Sequence, residues 1–572
     1  MPTSVSLKKG FVSPQWENRY ATLNANASGS FVRALQIPAY NIDATYFCAN
    51  TTSAVLQYDA ICDSHMTLPA SGIAGTFGPG SCGRVIPLGP TGTATAGSTT
   101  AVTTNLTINR DLRGFKIRIT GGPGSGDERI IASNTLGANS VITIAAADAF
   151  SAAITASSTY RLLTPRLWVF NPAATPGFGY WDYALSAWTA GLSVSGLTFT
   201  ATDGLMVSTN SLTGNQYEFG DDKTFGSSTA NTLSLANNIM GTPQQGPGYA
   251  LQGGWTTNQW TGSVIQIVGG TGVGQVRTIA SNTQTTITVD TNWGVNPDAT
   301  SKWVITKAFV SSRGNTFSST TSSILTVTGP NWVANTLANF QIRAISGTGA
   351  GQIRTISSNT SATITVGTTW TTNFDATTVW VIEGNDDSIY LAGNGAVALF
   401  KYTISGATWS TVSPTAARVA APGVGFSMNW ITGVNDLAWT AGNTLQNGRY
   451  IYSFRASGGN ILDIFDTALV TWTSGKAYGG QNEVFTTGNC WEYDGINTIY
   501  GAMPTGRLIK FDVLKNDLKP LASQPIYTQG AATVGDKLFR YSFQDGPTRL
   551  DFLYFWGNTV SNLSRMLIFQ TY

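Results

Sequence analysis

The chain is short of charged residues. Among its 572 residues, Asp, Glu, Lys and Arg make up only 11%, less than half of the roughly 25% typical of soluble proteins. Glutamate, lysine and arginine normally cover helix surfaces, so their scarcity argues against a helical protein. The 32 basic and 30 acidic residues leave a net charge of +2, and no stretch concentrates the positive charge. Nucleic acid is therefore not an expected partner.

Long apolar runs are absent as well. Nowhere do 18 apolar residues follow one another without interruption, which argues against a membrane-spanning helix. Lys8 and Lys9 stand near the start, but the apolar segment of a secretory signal does not follow them. We expect neither a signal peptide nor membrane insertion.

Cysteine and histidine are rare. Four cysteines, Cys48, Cys62, Cys82 and Cys490, make a poor disulfide framework for this length. Free buried thiols are the preferred interpretation, and a bridge between Cys48 and Cys62 across neighbouring strands is the alternative. The single histidine, His65, leaves no histidine pair for a metal ion and argues against a Ser-His-Asp triad. We interpret it as a structural or surface residue.

Glycine, aromatic and small polar residues take the place of charge. The chain has 63 glycines, 17 tryptophans, 20 tyrosines and 26 phenylalanines, together with many Thr, Ser and Asn. Aromatic and β-branched residues fit the pleat of a sheet, and Gly and Asn fit its turns. The composition predicts an all-β protein.

A 20-residue segment occurs twice, 77 residues apart. GTGVGQVRTIASNTQTTITV at 270–289 returns as GTGAGQIRTISSNTSATITV at 347–366, and each is followed by a Trp, an Asp-Ala-Thr triplet and an apolar strand. A diverged copy, GPGSGDERIIASNTLGANSVITI at 122–144, keeps the glycines, the arginine and the Ser-Asn-Thr turn but lacks the Trp and the Asp-Ala-Thr. Alternating apolar residues and turn residues predict a small module of β-hairpins for each copy.

The glycine cluster and the arginine of each copy have structural interpretations. No helix pattern follows the glycines and no Lys-Ser or Lys-Thr pair closes them, so we expect a β-turn rather than a phosphate-binding loop. We expect Arg277 and Arg354 to pair with a carboxylate or carbonyl group rather than to bind an anion.

A second, fainter repeat lies outside the modules. An aromatic residue, often followed by Asp, is succeeded seven positions later by a Trp or an equivalent. The pairs are Tyr58 and His65, Trp181 and Trp188, Tyr402 and Trp409, Phe465 and Trp472, and Phe511 and Leu518. We expect each pair to belong to a strand-turn-strand hairpin with another apolar strand ahead of it. A further unit begins with KLFRYSF at 537–543, which makes six.

The spacing of these units predicts a β-propeller. The distances of 63 residues from Tyr402 to Phe465 and of 46 from Phe465 to Phe511 suit four-stranded blades. The earlier gaps are 123 and 221 residues, and they fall to 46 and 67 when one and two 77-residue modules are removed. We therefore predict a propeller of about six blades with inserted modules resembling small β-sandwiches or barrels. A string of separate sandwiches is the alternative.

The predicted boundaries follow from this arithmetic. They are an N-terminal segment with the first blade at 1–85, module 1 at 86–163, the second blade and a connection at 164–225, module 2 at 226–305, module 3 at 306–382, and the remaining blades at 383–572.

Two resemblances point to a function. FKYTISGATWSTVS at 400–413 and FDTALVTWTSG at 465–475 resemble kelch-type propeller blades, although the blade glycine pair is clear only at Gly458-Gly459. The module pattern GxGxGQxRTIxSNTxxTITVxxxW resembles modules of virion structural proteins of tailed bacteriophages. This resemblance implies a structural protein of the tail, neck or head appendage, located in the virion and assembled in the host cytoplasm. Its expected partners are other virion proteins and further copies of itself.

Catalysis has weak support in the sequence, and we predict a protein that is not an enzyme and has no catalytic, cofactor-binding or metal-binding residues. Of the carboxylate pairs, Asp221-Asp222 and Asp386-Asp387 are the obvious ones, but adjacent strand residues point to opposite faces, and both pairs are typical of turns. A polysaccharide depolymerase would need acids from different blades. The stronger alternative is an adhesin that recognises a host surface glycan or protein during attachment, for which Trp255 and Trp260 are candidate contacts. Most other tryptophans are expected in the core.

Overall fold

The computed structural model confirms the all-β prediction, with 45 strands among the described residues. In the described part of the chain, one 3-10 turn at Ala146–Asp148 is the whole helical content, and no helix there is long and apolar enough to cross a membrane. The structure describes residues 16–19, 31–33, 44–48, 53–59, 64–78, 80–86, 88–173, 175–199, 203–208, 216–219, 225–235, 257, 260, 264–273, 275–283, 285–306, 310–311, 317–328, 332–384, 387–431, 448–456, 459, 461–477, 485–486, 489–493, 498–503, 507–513, 516–523, 537–545, 548–558 and 564–571.

Six of the sheets have four antiparallel strands each, numbered here sheet 1 to sheet 6 in chain order. Sheet 6 includes the strand nearest the N-terminus, β1 (Trp16–Arg19), which pairs with the last strand of the chain. Sheet 1 contains β2 (Phe31–Arg33), β3 (Ala44–Cys48), β4 (Val55–Asp59) and β5 (Ser64–Thr67). Sheet 2 contains β6 (Cys82–Ile86), β14 (Arg166–Asn171), β15 (Gly177–Asp182) and β16 (Ala187–Thr189).

The remaining sheets of this kind have the same meander order. Sheet 3 contains β17 (Gly204–Val207), β32 (Ser388–Gly393), β33 (Leu399–Thr403) and β34 (Thr408–Thr411). Sheet 4 contains β35 (Asn429–Trp430), β36 (Tyr450–Phe454), β37 (Ile461–Asp466) and β38 (Thr471–Ala477). Sheet 5 contains β39 (Cys490–Tyr493), β40 (Thr498–Ala502), β41 (Arg507–Asp512) and β42 (Asp517–Ser523). Sheet 6 contains β43 (Lys537–Asp545), β44 (Thr548–Asn558) and β45 (Ser564–Thr571), followed by β1.

Three sheets have seven strands each and are called modules 1 to 3. Module 1 has the order β7 (Thr91–Thr93), β13 (Thr159–Leu163), β10 (Lys116–Gly121), β11 (Glu128–Asn134), β12 (Val141–Ile144), β9 (Ala101–Thr103), β8 (Ala96–Gly97). Module 2 has β18 (Gln216–Phe219), β24 (Lys302–Thr306), β21 (Val264–Gly269), β22 (Val276–Asn282), β23 (Thr286–Val289), β20 (Thr232–Leu235), β19 (Phe225–Ser228). Module 3 has β25 (Val310–Ser311), β31 (Val379–Glu383), β28 (Gln341–Ser346), β29 (Ile353–Asn359), β30 (Thr363–Val366), β27 (Ile324–Val327), β26 (Phe317–Thr320).

The modules interrupt sheets 2 and 3 after their first strands. Module 1 lies in the chain between β6 and β14, and modules 2 and 3 lie in tandem between β17 and β32. Module 2 was predicted to begin at residue 226, but its first strand, β18, lies at Gln216–Phe219 and pairs with β24. In each module the long strand after the glycine turn carries a register shift, so the sheet bends there and its two halves face one apolar core. As far as the described residues show, none of these nine sheets is closed on itself.

The seven-residue spacing marks the last hairpin of a sheet. Each aromatic residue lies directly opposite its partner in the next strand: Tyr58 opposite His65, Trp181 opposite Trp188, Tyr402 opposite Trp409, Phe465 opposite Trp472, and Phe511 opposite Leu518. Four of these turns place a non-glycine residue at a φ of 48–53°, namely Ser186, Ala407, Val470 and Asn516. A tight turn of one geometry thus recurs under different sequences.

Consecutive sheets pack face to face. Alternate residues of a strand point to opposite faces, and here both faces are buried. Met206 packs with Trp168 and Phe170 of sheet 2, whereas the next residue, Val207, packs with Trp430 and Phe465 of sheet 4. Similar apolar clusters join sheets 1 and 2 and sheets 4 and 5.

Candidate functional site: the junctions between modules and sheets

Module 1 is docked on a hairpin turn of sheet 2. The turn Tyr183–Ser186 follows β15, and Ala184 is fully buried within the apolar core of the module. The backbone N–H of Asn109 donates to the Ala184 carbonyl over 3.0 Å, and its side chain donates to the Leu185 carbonyl over 2.9 Å. Arg110 Nε donates to Ser186 Oγ over 2.8 Å. The turn therefore inserts into the apolar core of module 1, and a turn inserted in this way is called a plug below.

Module 3 is docked on the corresponding turn of sheet 4. Ala468 is 7% exposed and belongs to the apolar core of module 3, in which Phe340 and Leu337 also lie. Asn339 Nδ2 donates to the Thr467 carbonyl over 3.1 Å. Module 3 thus bridges from sheet 3, where it is inserted, to sheet 4.

The two plugs share a short sequence. Asp182-Tyr183-Ala184-Leu185 and Asp466-Thr467-Ala468-Leu469 both read Asp-x-Ala-Leu. Each aspartate closes its own turn: Asp182 accepts from the Leu185 N–H, and Asp466 accepts from the N–H groups of Ala468 and Leu469. Arg166, the first residue of β14, and Arg449, directly before β36, pair with these carboxylates. The aspartate that often follows the aromatic residue in the sequence is therefore a turn and ion-pair residue.

Modules 1 and 3 also touch each other through their glycine turns. Ser125 Oγ donates to the Ala350 carbonyl over 2.6 Å. A Cβ on Gly351 would lie 2.1 Å from Ser125 Oγ and 3.0 Å from the Gly126 nitrogen, so the two backbones meet without room for a side chain. Arg343 of module 3 acts together with Arg118 and Lys116 to lower the pKa of Glu128, against a burial that would raise it. The glycine turns of modules 1 and 3 thus form a contact between the two modules.

A buried ion pair joins modules 1 and 2. Arg277 of module 2 pairs with Asp148 of module 1, and their side chains are 4% and 1% exposed. Burial raises the pKa of Asp148, opposed by Arg277 and Arg129. Burial likewise raises the pKa of Asp290 to about 6, and the same two arginines oppose it. This interface is desolvated and sensitive to protonation.

The repeated arginines behave as predicted. Arg277 Nε donates to the Asn292 carbonyl over 3.0 Å, and Arg354 Nε donates to the Thr369 carbonyl over 3.0 Å. Each guanidinium lies 5.3 Å from the ring centre of the repeat tryptophan, Trp293 or Trp370. In the diverged module Phe150 takes the place of this tryptophan. Its backbone N–H donates to the Thr99 carbonyl, just as the backbone N–H groups of Trp293 and Trp370 donate to the carbonyls of Ala230 and Ser322.

Sheet 4 contains a cluster with two arginines on one carboxylate. Arg418 Nε and Arg455 Nε both donate to Asp463 Oδ2 over 2.7 Å, and Arg455 Nη2 donates to Asp463 Oδ1 over 2.8 Å. Ser453 Oγ accepts from Arg418 Nη2 over 2.8 Å. Although burial acts in the opposite direction, the two arginines lower the pKa of Asp463. All three charged side chains are at most 7% exposed, so the cluster holds the sheet together.

A recess opens where module 3 meets sheets 3 and 4. It encloses about 220 Å³, its open mouth included, and its lining residues are Asn339, Phe340, Ser388, Tyr390, Lys401, Trp430, Gly448 and Thr467. The Trp430 indole N–H donates to the Gly448 carbonyl over 2.8 Å. Burial lowers the pKa of Lys401, and the nearby Asp387 partly offsets this. Sequence reasoning missed the recess because its lining comes from three separate elements.

Of the carboxylates and cysteines singled out in the sequence, the structure describes Asp387, Cys48, Cys82 and Cys490. Asp387 accepts from the N–H and the hydroxyl of Ser405, over 2.7 and 2.5 Å, and closes a turn. Asp221, Asp222 and Asp386 lie outside the described residues, and so does Cys62. Cys82 and Cys490 are buried, as expected, and Cys48 lies opposite Val55 in the paired strand. No group of three His, Cys, Asp or Glu side chains that could hold a metal ion occurs among the described residues.

The tryptophans lie mainly in apolar cores. Eleven of the thirteen whose side chains the structure describes are buried. Trp260 was a candidate glycan contact, and that interpretation is wrong: it is 3% exposed and packs in the core of module 2, where its backbone N–H donates to Asn282. Trp255 lies outside the described residues, and of His65 the structure describes the backbone, in β5.

Comparison with known proteins identifies no family. The sequence matches no protein-family profile and no curated protein. Among solved structures, it is similar to an auxiliary nutrient binding protein from Bacteroides thetaiotaomicron, with 10% identity and a TM-score of 0.21 over 86% of this chain and 99% of that one. It is also similar to a mutant of puromycin hydrolase complexed with PGG, with 9% identity and a TM-score of 0.16 over 93% of this chain and 59% of that one. These scores are too low to support an inference.

Proposed function

We propose that the six four-stranded sheets are the blades of one β-propeller. The pairing of β1 with β45 supports this, because a strand from one end of the chain then completes a sheet from the other end. First strands of different sheets also lie side by side: β2 adjoins β6 and β43, β6 adjoins β17, and β39 adjoins β43. The apolar clusters between consecutive sheets fit the same arrangement.

The function that this geometry supports best is that of an architectural protein of a phage virion, in the tail, neck or head appendage. The observation that carries the proposal is that three copies of one module are fixed to the sheets and to each other, through the plugs at Ala184 and Ala468 and the Arg277–Asp148 pair. Such a body presents repeated β-surfaces at fixed positions to neighbouring subunits. Among the described residues, four of the five buried aspartates, Asp148, Asp182, Asp463 and Asp466, pair with arginines, and the fifth, Asp203, accepts from the Gly425 N–H, which supports a role without catalysis.

Immunogold electron microscopy tests the virion proposal. Antibodies raised against the purified chain are applied to phage particles purified by density, and the same antibodies absorbed beforehand with the chain serve as the control. We expect gold at one defined place on each particle, at the tail, neck or head surface. Gold no denser than with the absorbed antibodies would contradict the proposal and favour a free protein that binds host surface glycans.

A further inference from the structure

The recess at the junction of module 3 with sheets 3 and 4 has a lining of unusual polarity. Between most neighbouring sheets the space is filled by apolar side chains. Here Ser388, Tyr390 and Lys401 stand on the face of sheet 3 that meets sheet 4, with Tyr390 directly opposite Lys401 in the paired strands. A polar group in such a place costs free energy unless it finds a partner.

The other polar groups around the recess already have partners. Asn339 Nδ2 donates to the Thr467 carbonyl, Thr467 Oγ1 donates to the Arg449 carbonyl over 2.6 Å, and Trp430 Nε1 donates to the Gly448 carbonyl. These bonds hold the walls of the recess in place. Only the polar side chains of sheet 3 therefore remain to bind a group that enters the recess.

The three side chains of sheet 3 are donors without acceptors. Ser388 is 2% exposed, and its Oγ has no hydrogen-bond partner in the structure. Within the described part of the chain, no acceptor bonds the Lys401 ammonium or the Tyr390 hydroxyl, and desolvation raises the pKa of Tyr390. The Asp387 carboxylate, whose two oxygens accept from Ser405, acts on Lys401 through its charge. One positive charge and two hydroxyls therefore face a small space.

We propose that this recess binds a small monovalent anion such as chloride, held by the Lys401 ammonium and by the Ser388 and Tyr390 hydroxyls. An anion would satisfy the three donors and neutralise the desolvated lysine, which otherwise is costly to keep charged. Most of the 220 Å³ is space between the lining atoms and in the open mouth, and the recess has room for about one water-sized group. It therefore suits a single small ion without its hydration shell and is too small for an oligosaccharide.

The anion would stabilise the folded chain at this junction. The recess is lined on one side by Asn339 and Phe340 of module 3 and on the other by residues of sheets 3 and 4. An ion bound there stabilises the folded state in proportion to the logarithm of its concentration, because the unfolded chain does not hold the three donors of sheet 3 together. This inference does not depend on a role in a virion.

Thermal unfolding of the full chain in sodium chloride and in sodium gluconate, at equal ionic strength, tests the proposal. Gluconate is too large for the recess. The wild-type midpoint should rise with chloride, in a logarithmic manner, and should not rise with gluconate. Lys401→Met should abolish the difference between the two salts, and Ser388→Ala should reduce it. Lys519→Met is the matched control, because Lys519 is 57% exposed and pairs with Asp517 at the surface, and it should respond like the wild type.

The variant stays informative even where its stability changes. Lys401→Met removes a half-buried charge that Asp387 offsets only in part, so we expect it to be at least as stable as the wild type in gluconate and to be indifferent to chloride. Crystals of the full chain soaked in bromide should show an anomalous peak between Lys401 and Ser388. An equal chloride response in Lys401→Met, no difference between the two salts in the wild type, or an ordered water without an anomalous signal would each overturn the proposal.

Discussion

At the scale of single residues, the structure explains why a few positions carry unusual chemistry. Aspartates that follow an aromatic residue close turns and accept from arginines, as Asp182 and Asp466 do. The sequence spacing indicated that these aspartates belong to hairpins. It could not indicate their arginine partners, because Arg166 lies in the neighbouring strand and Arg449 directly before it, and register is a tertiary property.

Val470 offers a test of the turn geometry. It is a β-branched residue held at a φ of 51°, a conformation that costs such residues about 1–2 kcal/mol. Val470→Gly should therefore raise the free energy of unfolding by about 1 kcal/mol. The loss of the small apolar contact that Val470 makes with the core between sheets 3 and 4 reduces this gain. Urea unfolding measures the change. Asn516→Gly is the control, since asparagine tolerates its φ of 53°, and a gain there as large as at Val470 would contradict the explanation.

Asp290 gives the interface of modules 1 and 2 a pH dependence. Its pKa is raised from 3.8 to about 6, so the folded state binds the proton more tightly than the unfolded state does. The contribution of Asp290 to stability is complete below about pH 4 and is lost as the pH rises towards 6 and beyond. Asp290→Asn should gain stability relative to the wild type as the pH rises from about 4 to about 7, measured by thermal unfolding at each pH. A constant difference between the two proteins over this range would be inconsistent with the raised pKa.

At the scale of elements, the sequence was informative about hairpins and modules and silent about how they dock. Seven-residue spacing identifies the aromatic pairs because a tight turn places them directly opposite each other, as at Phe465 and Trp472. The 77-residue offset reflects two modules with identical strand order. The plugs could not be predicted, because Asp-x-Ala-Leu is a short pattern and nothing in the sequence indicates that a module packs on its alanine.

Ala468 tests the docking of module 3. Ala468→Glu would place a carboxylate in an apolar core, where an unpaired charge costs several kcal/mol. We expect faster hydrogen exchange in the strands of module 3 and unchanged exchange in module 1. Leu469→Glu is the matched control, because Leu469 lies in the same turn and is 44% exposed. Equal effects of the two substitutions would show that Ala468 is not a plug.

At the scale of the whole molecule, the chain is a set of separate sheets joined by apolar clusters and by buried ion pairs. Charge is scarce in the composition, and much of it lies inside, at Arg277–Asp148 between modules and at Asp463 with its two arginines within sheet 4. Six countable units in the sequence correspond to six four-stranded sheets. Closure of these sheets into one propeller and a place in a virion stay predictions.

Gly351 tests whether modules 1 and 3 form one body. An alanine there would strain a φ of 87° and bring its Cβ to 3.0 Å from the Gly126 nitrogen and within 2.1 Å of Ser125 Oγ. Gly351→Ala should separate the two turns and increase their hydrogen exchange, with a loss of about 1–2 kcal/mol from the backbone strain alone. Gly367→Ala is the control, because no atom lies within 4 Å of the added Cβ. Unchanged exchange at Ser125 in Gly351→Ala would contradict the contact.

The central functional claim is that this chain is a built part of a phage particle. Quantitative mass spectrometry of phage particles purified by density, with the capsid protein as the internal reference, tests it most directly. We predict that the chain is present at a fixed copy number, low if it belongs to the tail or neck and high if it decorates the head. Its absence from purified particles would contradict the claim.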